Sequence, residues 1–151
     1  MAHTRGFTLL EVLIVVAILG ILSAAGVGYF RNVVQQVSSE SITKILISDL
    51  RTAQAKAAAG EASRKWGIHA VNGATQYYQL FSTPSNYADA QTSIEATTTF
   101  ATGFLFTDPA AGMMKDIIFG GIGGTTTPTT LAITNEGKTT TITITSLGTI
   151  Y

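Results

Sequence analysis

Residues 5–30 read Arg5-Gly6-Phe7-Thr8-Leu9-Leu10-Glu11-Val12-Leu13-Ile14-Val15-Val16-Ala17-Ile18-Leu19-Gly20-Ile21-Leu22-Ser23-Ala24-Ala25-Gly26-Val27-Gly28-Tyr29-Phe30. From Val12 to Phe30 nineteen residues carry no charge. A helix needs roughly 17–25 predominantly apolar residues to cross a bilayer, so this run is long enough. Glu11 stands at its front edge. A charged side chain in such a segment costs about 2.5–3.5 kcal/mol on insertion scales, which marks Glu11 as a functional residue whose partner must be sought.

Outward from that run, composition narrows the function classes. The chain has 151 residues, room for one domain and an anchoring segment. Nine Lys and Arg balance nine Asp and Glu, so no net field recruits nucleic acid or anionic lipid. Cysteine is absent, which removes disulfides, thiol catalysis and cysteine-held metal centres.

Three readings fit the N-terminus. A secretory signal would be cut near Ser23-Ala24-Ala25, but it would place Glu11 inside the apolar stretch, and the helical pattern runs on past Ala25. A plain membrane anchor explains the length and leaves Glu11 and Gly6-Phe7 without a reason. The third reading is a resemblance. Gly6-Phe7-Thr8-Leu9-Leu10-Glu11-Val12-Leu13-Ile14-Val15-Val16 resembles the leader and first helix of type IV pilins and type II secretion pseudopilins. The resemblance implies that a prepilin peptidase cuts between Gly6 and Phe7, releasing the leader Met1–Gly6. The new Phe7 amine is then N-methylated. Arg5 in the leader agrees with a cytoplasmic start. In this family the glutamate pairs with the N-terminal ammonium of a neighbouring subunit, which implies a Glu11–Phe7 pair between copies. Pairing relieves two charges that would each be penalised among apolar helices. Protonation of Glu11, or a pair with its own Phe7 amine, is the alternative.

The helix is expected to continue beyond the apolar run. Val33, Val37, Ile42, Leu46, Leu50, Ala53 and Ala57 recur mostly at three- to five-residue steps, with most charges off that stripe. Gly60 reads as the left-handed cap that ends it. From Phe7 to Ala59 such a helix would be roughly 80 Å long. Gly20, Gly26 and Gly28 suit either close helix–helix approach or a stretch that loosens on assembly.

Short strands follow. Trp66–Val71 and Thr75–Ser82 flank Asn72-Gly73, the signature of a type I′ hairpin. Further strands are expected at Thr97–Phe100, Gly103–Phe106 and Asp116–Phe119, then a flexible loop at Gly120–Thr125. Leu131–Thr134 and Lys138–Ser146 flank Asn135-Glu136-Gly137 as a second hairpin, and Thr149-Ile150-Tyr151 makes a last short strand. The fold class is therefore α+β: a long N-terminal helix, transmembrane in its first half and amphipathic in its second, packed on an antiparallel β-sheet head. The expected division is leader 1–6, transmembrane and filament-core helix 7–30, amphipathic helix 31–60 and head 61–151.

The head carries a weaker resemblance. Asp49-Leu50-Arg51-Thr52-Ala53-Gln54-Ala55-Lys56-Ala57 with Gly67-Ile68-His69, and the closing Ile144–Ile150, are similar to pseudopilins of the GspH/FimT type. The chain lacks the C-terminal cysteine pair of many adhesive pilins and the acidic cluster that binds calcium in major secretion pseudopilins.

Catalytic and metal sites are not expected. His69 reads as a structural strand histidine. Asp108 and Asp116 flank a Pro-Ala-Ala-Gly turn and could meet a cation, though capping and solvation account for them. Trp66, Tyr77, Tyr78 and Phe81 form either a base-stacking platform or sheet core; with few interleaved cations, core is the better reading. Gly120–Gly124 lacks the Gly-Lys-Ser/Thr end of a phosphate loop. The Thr tracts at 97–99 and 125–130 suit O-glycans or ordinary β-structure and solvation.

The resulting expectation is a structural subunit, not an enzyme and without cofactor, of a type IV pilus or type II secretion pseudopilus, in a minor GspH/FimT-like role. Its implied partners are other pilin or pseudopilin subunits, the prepilin peptidase, the assembly platform and the inner membrane. Its head would lie outside the cytoplasm, first on the membrane and then on a periplasmic or extracellular filament. The competing expectation is an uncleaved membrane-anchored module that captures an extracytoplasmic ligand, as in DNA uptake.

Overall fold

A computed structural model describes residues 8–121, 123–135 and 137–151, the side chains of residues 24–40 excepted. The expected leader, the Gly6–Phe7 junction, and the Val33 and Val37 positions of the stripe lie outside this description. So does the side-chain chemistry of residues 24–30. Helix α1 runs Leu9–Ala58, and the chain divides into two compact units, residues 1–38 and 39–151.

In the first unit the described apolar side chains are exposed on every side of the helix, from Leu9 at 84% through Leu13 at 62% to Leu22 at 61%. A helix apolar all round needs lipid or other protein around it. Among the described residues no helix is long and apolar enough to cross a membrane; the described side chains of the run stop at Ser23.

The second unit is α+β, as its alternating patterns predict. Leu46, Leu50, Ala53 and Ala57 are fully buried, with Ile42 and Ile47 packed beside them. Their four-, three- and four-residue steps place them on one stripe of α1. The helix stops where expected: Gly60 takes φ 64°, a conformation that carries no penalty for glycine.

The strands are β1 Lys65–Asn72, β2 Gln76–Thr83, β3 Ser93–Thr99, β4 Phe104–Asp108, β5 Met114–Phe119, β6 Thr129–Asn135 and β7 Lys138–Ile144. They make two antiparallel sheets where the sequence reading has one: β3-β2-β1-β5 and β4-β6-β7. After β3, Gly103 at φ 97° redirects the chain. Phe104 and Phe106 then bury themselves beside Asn135 and Ile133 of β6. One core joins both sheets to the α1 stripe.

Two turns also differ. Asn72 faces Gln76 across the first hairpin, leaving the three-residue loop 73–75 in place of a type I′ Asn-Gly turn. The Asn72 amide is committed elsewhere: it is buried and donates to the Phe106 and Pro109 carbonyls at 2.8 and 2.7 Å. The two-residue loop falls instead between Asn135 and Lys138, where Gly137 has φ 85°. The expected last strand reduces to a bridge, Ile144 to Ile150, backed by paired bonds between Thr143 and Tyr151.

Candidate functional site

Thr8 immediately precedes α1 and Glu11 is the helix's third residue. The Thr8 hydroxyl accepts from the Glu11 backbone N–H at 3.3 Å, and the Thr8 carbonyl accepts from Glu11 and Val12 N–H at 3.1 and 3.3 Å. This is N-capping: a short polar side chain satisfies an amide that has no partner inside the helix. Thr-Leu-Leu-Glu ahead of an apolar run is the capping-box pattern, a signal that lies in the sequence itself. Glu11 is exposed and sits in the first turn, where the helix dipole favours a negative charge. Gly6 and Phe7, the expected cleavage and methylation residues, lie outside the described residues, and with them the ammonium expected to meet Glu11.

On the head, the pairing of β1 with β5 sets His69 opposite Asp116. His69 Nδ1 lies 2.5 Å from Asp116 Oδ1, with the imidazole 4% exposed. Tyr87, from the loop after β2, lies flat on that imidazole, ring centres 3.6 Å apart, and meets Phe81 edge-on at 4.9 Å. Its hydroxyl donates to Gln79 on β2, whose amide donates to Thr97 on β3 at 3.2 Å. Contacts therefore cross the whole four-stranded sheet, from Asp116 on one edge to Thr97 on the other. Burial, helped by the nearby Tyr77 and Asp116, raises the Tyr87 pKa and keeps its proton in place. The acidic partner of His69 lies 47 residues away in sequence, so no local spacing reveals it.

Asp108 and Asp116 do not converge. Asp108 on β4 binds the Lys115 ammonium of β5 and accepts from the Thr130 hydroxyl of β6 at 2.6 Å. Burial works against this carboxylate, but Lys115 and Thr130 outweigh it and hold its pKa below the ordinary value. Among the described residues no three His, Asp or Glu side chains gather as metal ligands.

The aromatic set divides between core and surface. Trp66, Tyr78 and Phe81 are buried and Tyr77 is half-buried. The Lys56 ammonium sits 4.1 Å from the Trp66 ring centre. Tyr78 donates to Asp49 of α1 at 2.7 Å, and burial drives its pKa far above the tyrosine range. The Gly120–Gly124 segment is a packing device at its end: Gly124 is buried at φ 60°, and a Cβ there would fall 2.8 Å from Gln54 Cγ.

Comparison with known proteins touches the N-terminus. Residues 1–27 match the family model described as the prokaryotic N-terminal methylation motif. No curated protein and no solved structure matches the chain. The motif supports a type IV pilin- or pseudopilin-like subunit, a structural component that assembles with others of its kind.

Proposed function

We propose that this chain is a minor, GspH/FimT-like subunit of a type II secretion pseudopilus or type IV pilus. In this reading it is cut between Gly6 and Phe7, methylated on Phe7 and polymerised through its N-terminal helix. Residues 7–30 hold it in the inner membrane until assembly, with the head outside the cytoplasm. The observation that carries the reading is the motif itself: Gly6-Phe7, a capping Thr8, and Glu11 ahead of a charge-free run, within the stretch that matches the methylation motif. The minor role rests on the similarity of Asp49–Ala57 and Ile144–Ile150 to GspH/FimT-type heads.

Each residue has a task. Gly6 leaves the scissile bond unshielded by a side chain. Thr8 caps the helix directly after Phe7 in the sequence, so the new ammonium and the Glu11 carboxylate are only four residues apart along the chain. The Glu11 charge is costly in lipid and is relieved when an incoming subunit offers its carboxylate to a Phe7 ammonium already in the filament. Because each charge leaves the other unpaired when the register slips, the pair sets axial stagger as well as attraction.

Two measurements test this. Mass analysis of the N-terminus should find a chain beginning at methylated Phe7; an intact Met1 would favour the uncleaved ligand-binding module. Glu11→Ala should be inserted and processed normally yet drop out of sheared filaments by at least about tenfold, the loss of one buried charge partner. Normal incorporation of that variant would remove the pairing mechanism.

A further inference from the structure

The second unit carries a groove and a knob that complement one another at opposite ends. The groove, of about 250 Å³, is floored by Ile47, Phe104 and Ile133, with Lys44, Lys138 and Thr140 around it. Small-molecule pockets run to roughly 300–1,000 Å³; this one suits a side chain or two. The knob is on β3, an edge strand exposed along most of its length. Leu80 faces Ala96 and Phe81 faces Ile94, so Glu95 is the extra residue of a bulge. Bulges re-aim side chains and bend an edge out of line. Ile94 is 51% exposed beside it.

Charge singles out this knob. Asp49 is engaged by Tyr78, Glu61 by Lys56, Asp89 by Ser85, Asp108 by Lys115 and Asp116 by His69. Among the described side-chain carboxylates of this unit, Glu95 is left without a hydrogen bond or ion pair. Position supports the match. Ile94 faces Phe81, which faces Gly67 next to Trp66, and the Trp66 ring lies on Lys56 near the end of α1. The groove begins at residues 43–47 of the same helix. Nine helical steps take the chain from Ile47 to Lys56, about 14 Å along the axis.

From this we infer that the Ile94–Glu95 bulge of one copy seats in the Ile47–Phe104–Ile133 groove of a second copy, with Glu95 meeting Lys138. Two different patches in contact make a heterologous interface, which repeats without closing unless the rotation happens to make a ring. The inference rests on the filament reading for its biological setting, but the contact is a property of the head. It also blunts the exposed β3 edge, which would otherwise be open to pairing with foreign strands.

The chain has no cysteine, so an engineered pair reports cleanly. In membranes of cells producing the full-length chain, Ile94→Cys combined with Thr140→Cys should yield on oxidation a ladder of dimers and higher species. Ile94→Cys alone should stop at a trace of dimer. Adding Glu95→Lys should reduce the ladder about tenfold, since like charges would face each other, and Lys138→Glu should restore it. The contact is overturned if the double variant gives no ladder, if Ile94→Cys alone cross-links as well, or if Glu95→Lys changes nothing. Filaments of methylated chain without a ladder would discard the contact and keep the filament reading. A ladder from chain that retains Met1 and makes no filaments would do the reverse.

Discussion

At the scale of single residues, Tyr78 shows how a proton can hold two elements together. Its hydroxyl is buried between β2 and α1 and donates to Asp49. Burial, the bond to Asp49 and the Asp49 charge all oppose ionisation, outweighing a bond to Thr98 that favours it. The folded pKa is raised, so the stability this group contributes is fully present below the unfolded value of 10.0 and is lost as pH rises above it. Tyr78→Phe should cost about 1.5–3 kcal/mol at neutral pH, the worth of a hydrogen bond to a charged group. In denaturant titrations the gap to the parent should close above pH 10, and a gap that stays constant would show that Tyr78 does not titrate as described. At the same scale the N-terminal motif was readable from sequence because its parts are neighbours: Thr8 and Glu11 are three residues apart, the distance a capping bond requires.

At the scale of elements, β1 is the strand on which the head depends. It pairs with β2 on one side and β5 on the other, and most of it is buried on both faces. Gly67 sits in its middle because there is no room for a side chain. A Cβ would run into the Ile117 carbonyl oxygen and lie 3.0 Å from the Phe81 ring. Gly67→Ala should therefore destabilise the head by about 1–3 kcal/mol, the usual cost of overpacking, and a thermal melt unchanged from the parent would refute that packing. Turn signals at Asn72-Gly73 and Asn135-Glu136-Gly137, with alternation in β7, located β1, β2 and β7 to within a residue or two at each end, whereas the irregular segment after Asn86 is harder to read. There the strand expected from Thr97 starts four residues earlier, because Ser93-Ile94-Glu95 is exposed on an edge and carries a bulge. The helix stripe was legible for the opposite reason: Leu46, Leu50, Ala53 and Ala57 face one continuous core.

At the scale of the whole molecule, the sheets are tied by a few polar links between distant strands. Asp108 of β4, Lys115 of β5 and Thr130 of β6 join the two sheets, as does Asn72 of β1 reaching the Phe106 and Pro109 carbonyls. The Asp108 pKa is lowered in the fold, so its contribution is present above 3.8 and is lost as pH falls through the folded value. Acid titration of Asp108→Asn should show a shallower fall in stability below pH 3.8 than the parent, and parallel acid limbs would contradict this account. The His69–Asp116 pair belongs to the same class of long-range link. Its partners were each visible in sequence as isolated residues, and register places Asp108 and Asp116 on different strands, where each has its own partner.

Short-range chemistry is thus enough to specify much of this chain. The capped helix start, the apolar run, the buried stripe, the Gly60 stop and most strands each follow from residues within a turn or a few positions of one another. Strand order does not. Sorting the seven strands of the described residues into β3-β2-β1-β5 and β4-β6-β7 depends on which apolar faces can share one core and which edges can satisfy their backbone groups. That choice is made among segments tens of residues apart. It brings Asp116 to His69, Tyr87 over that histidine and Glu95 to an exposed bulge, placements for which no local pattern in the chain carries a signal.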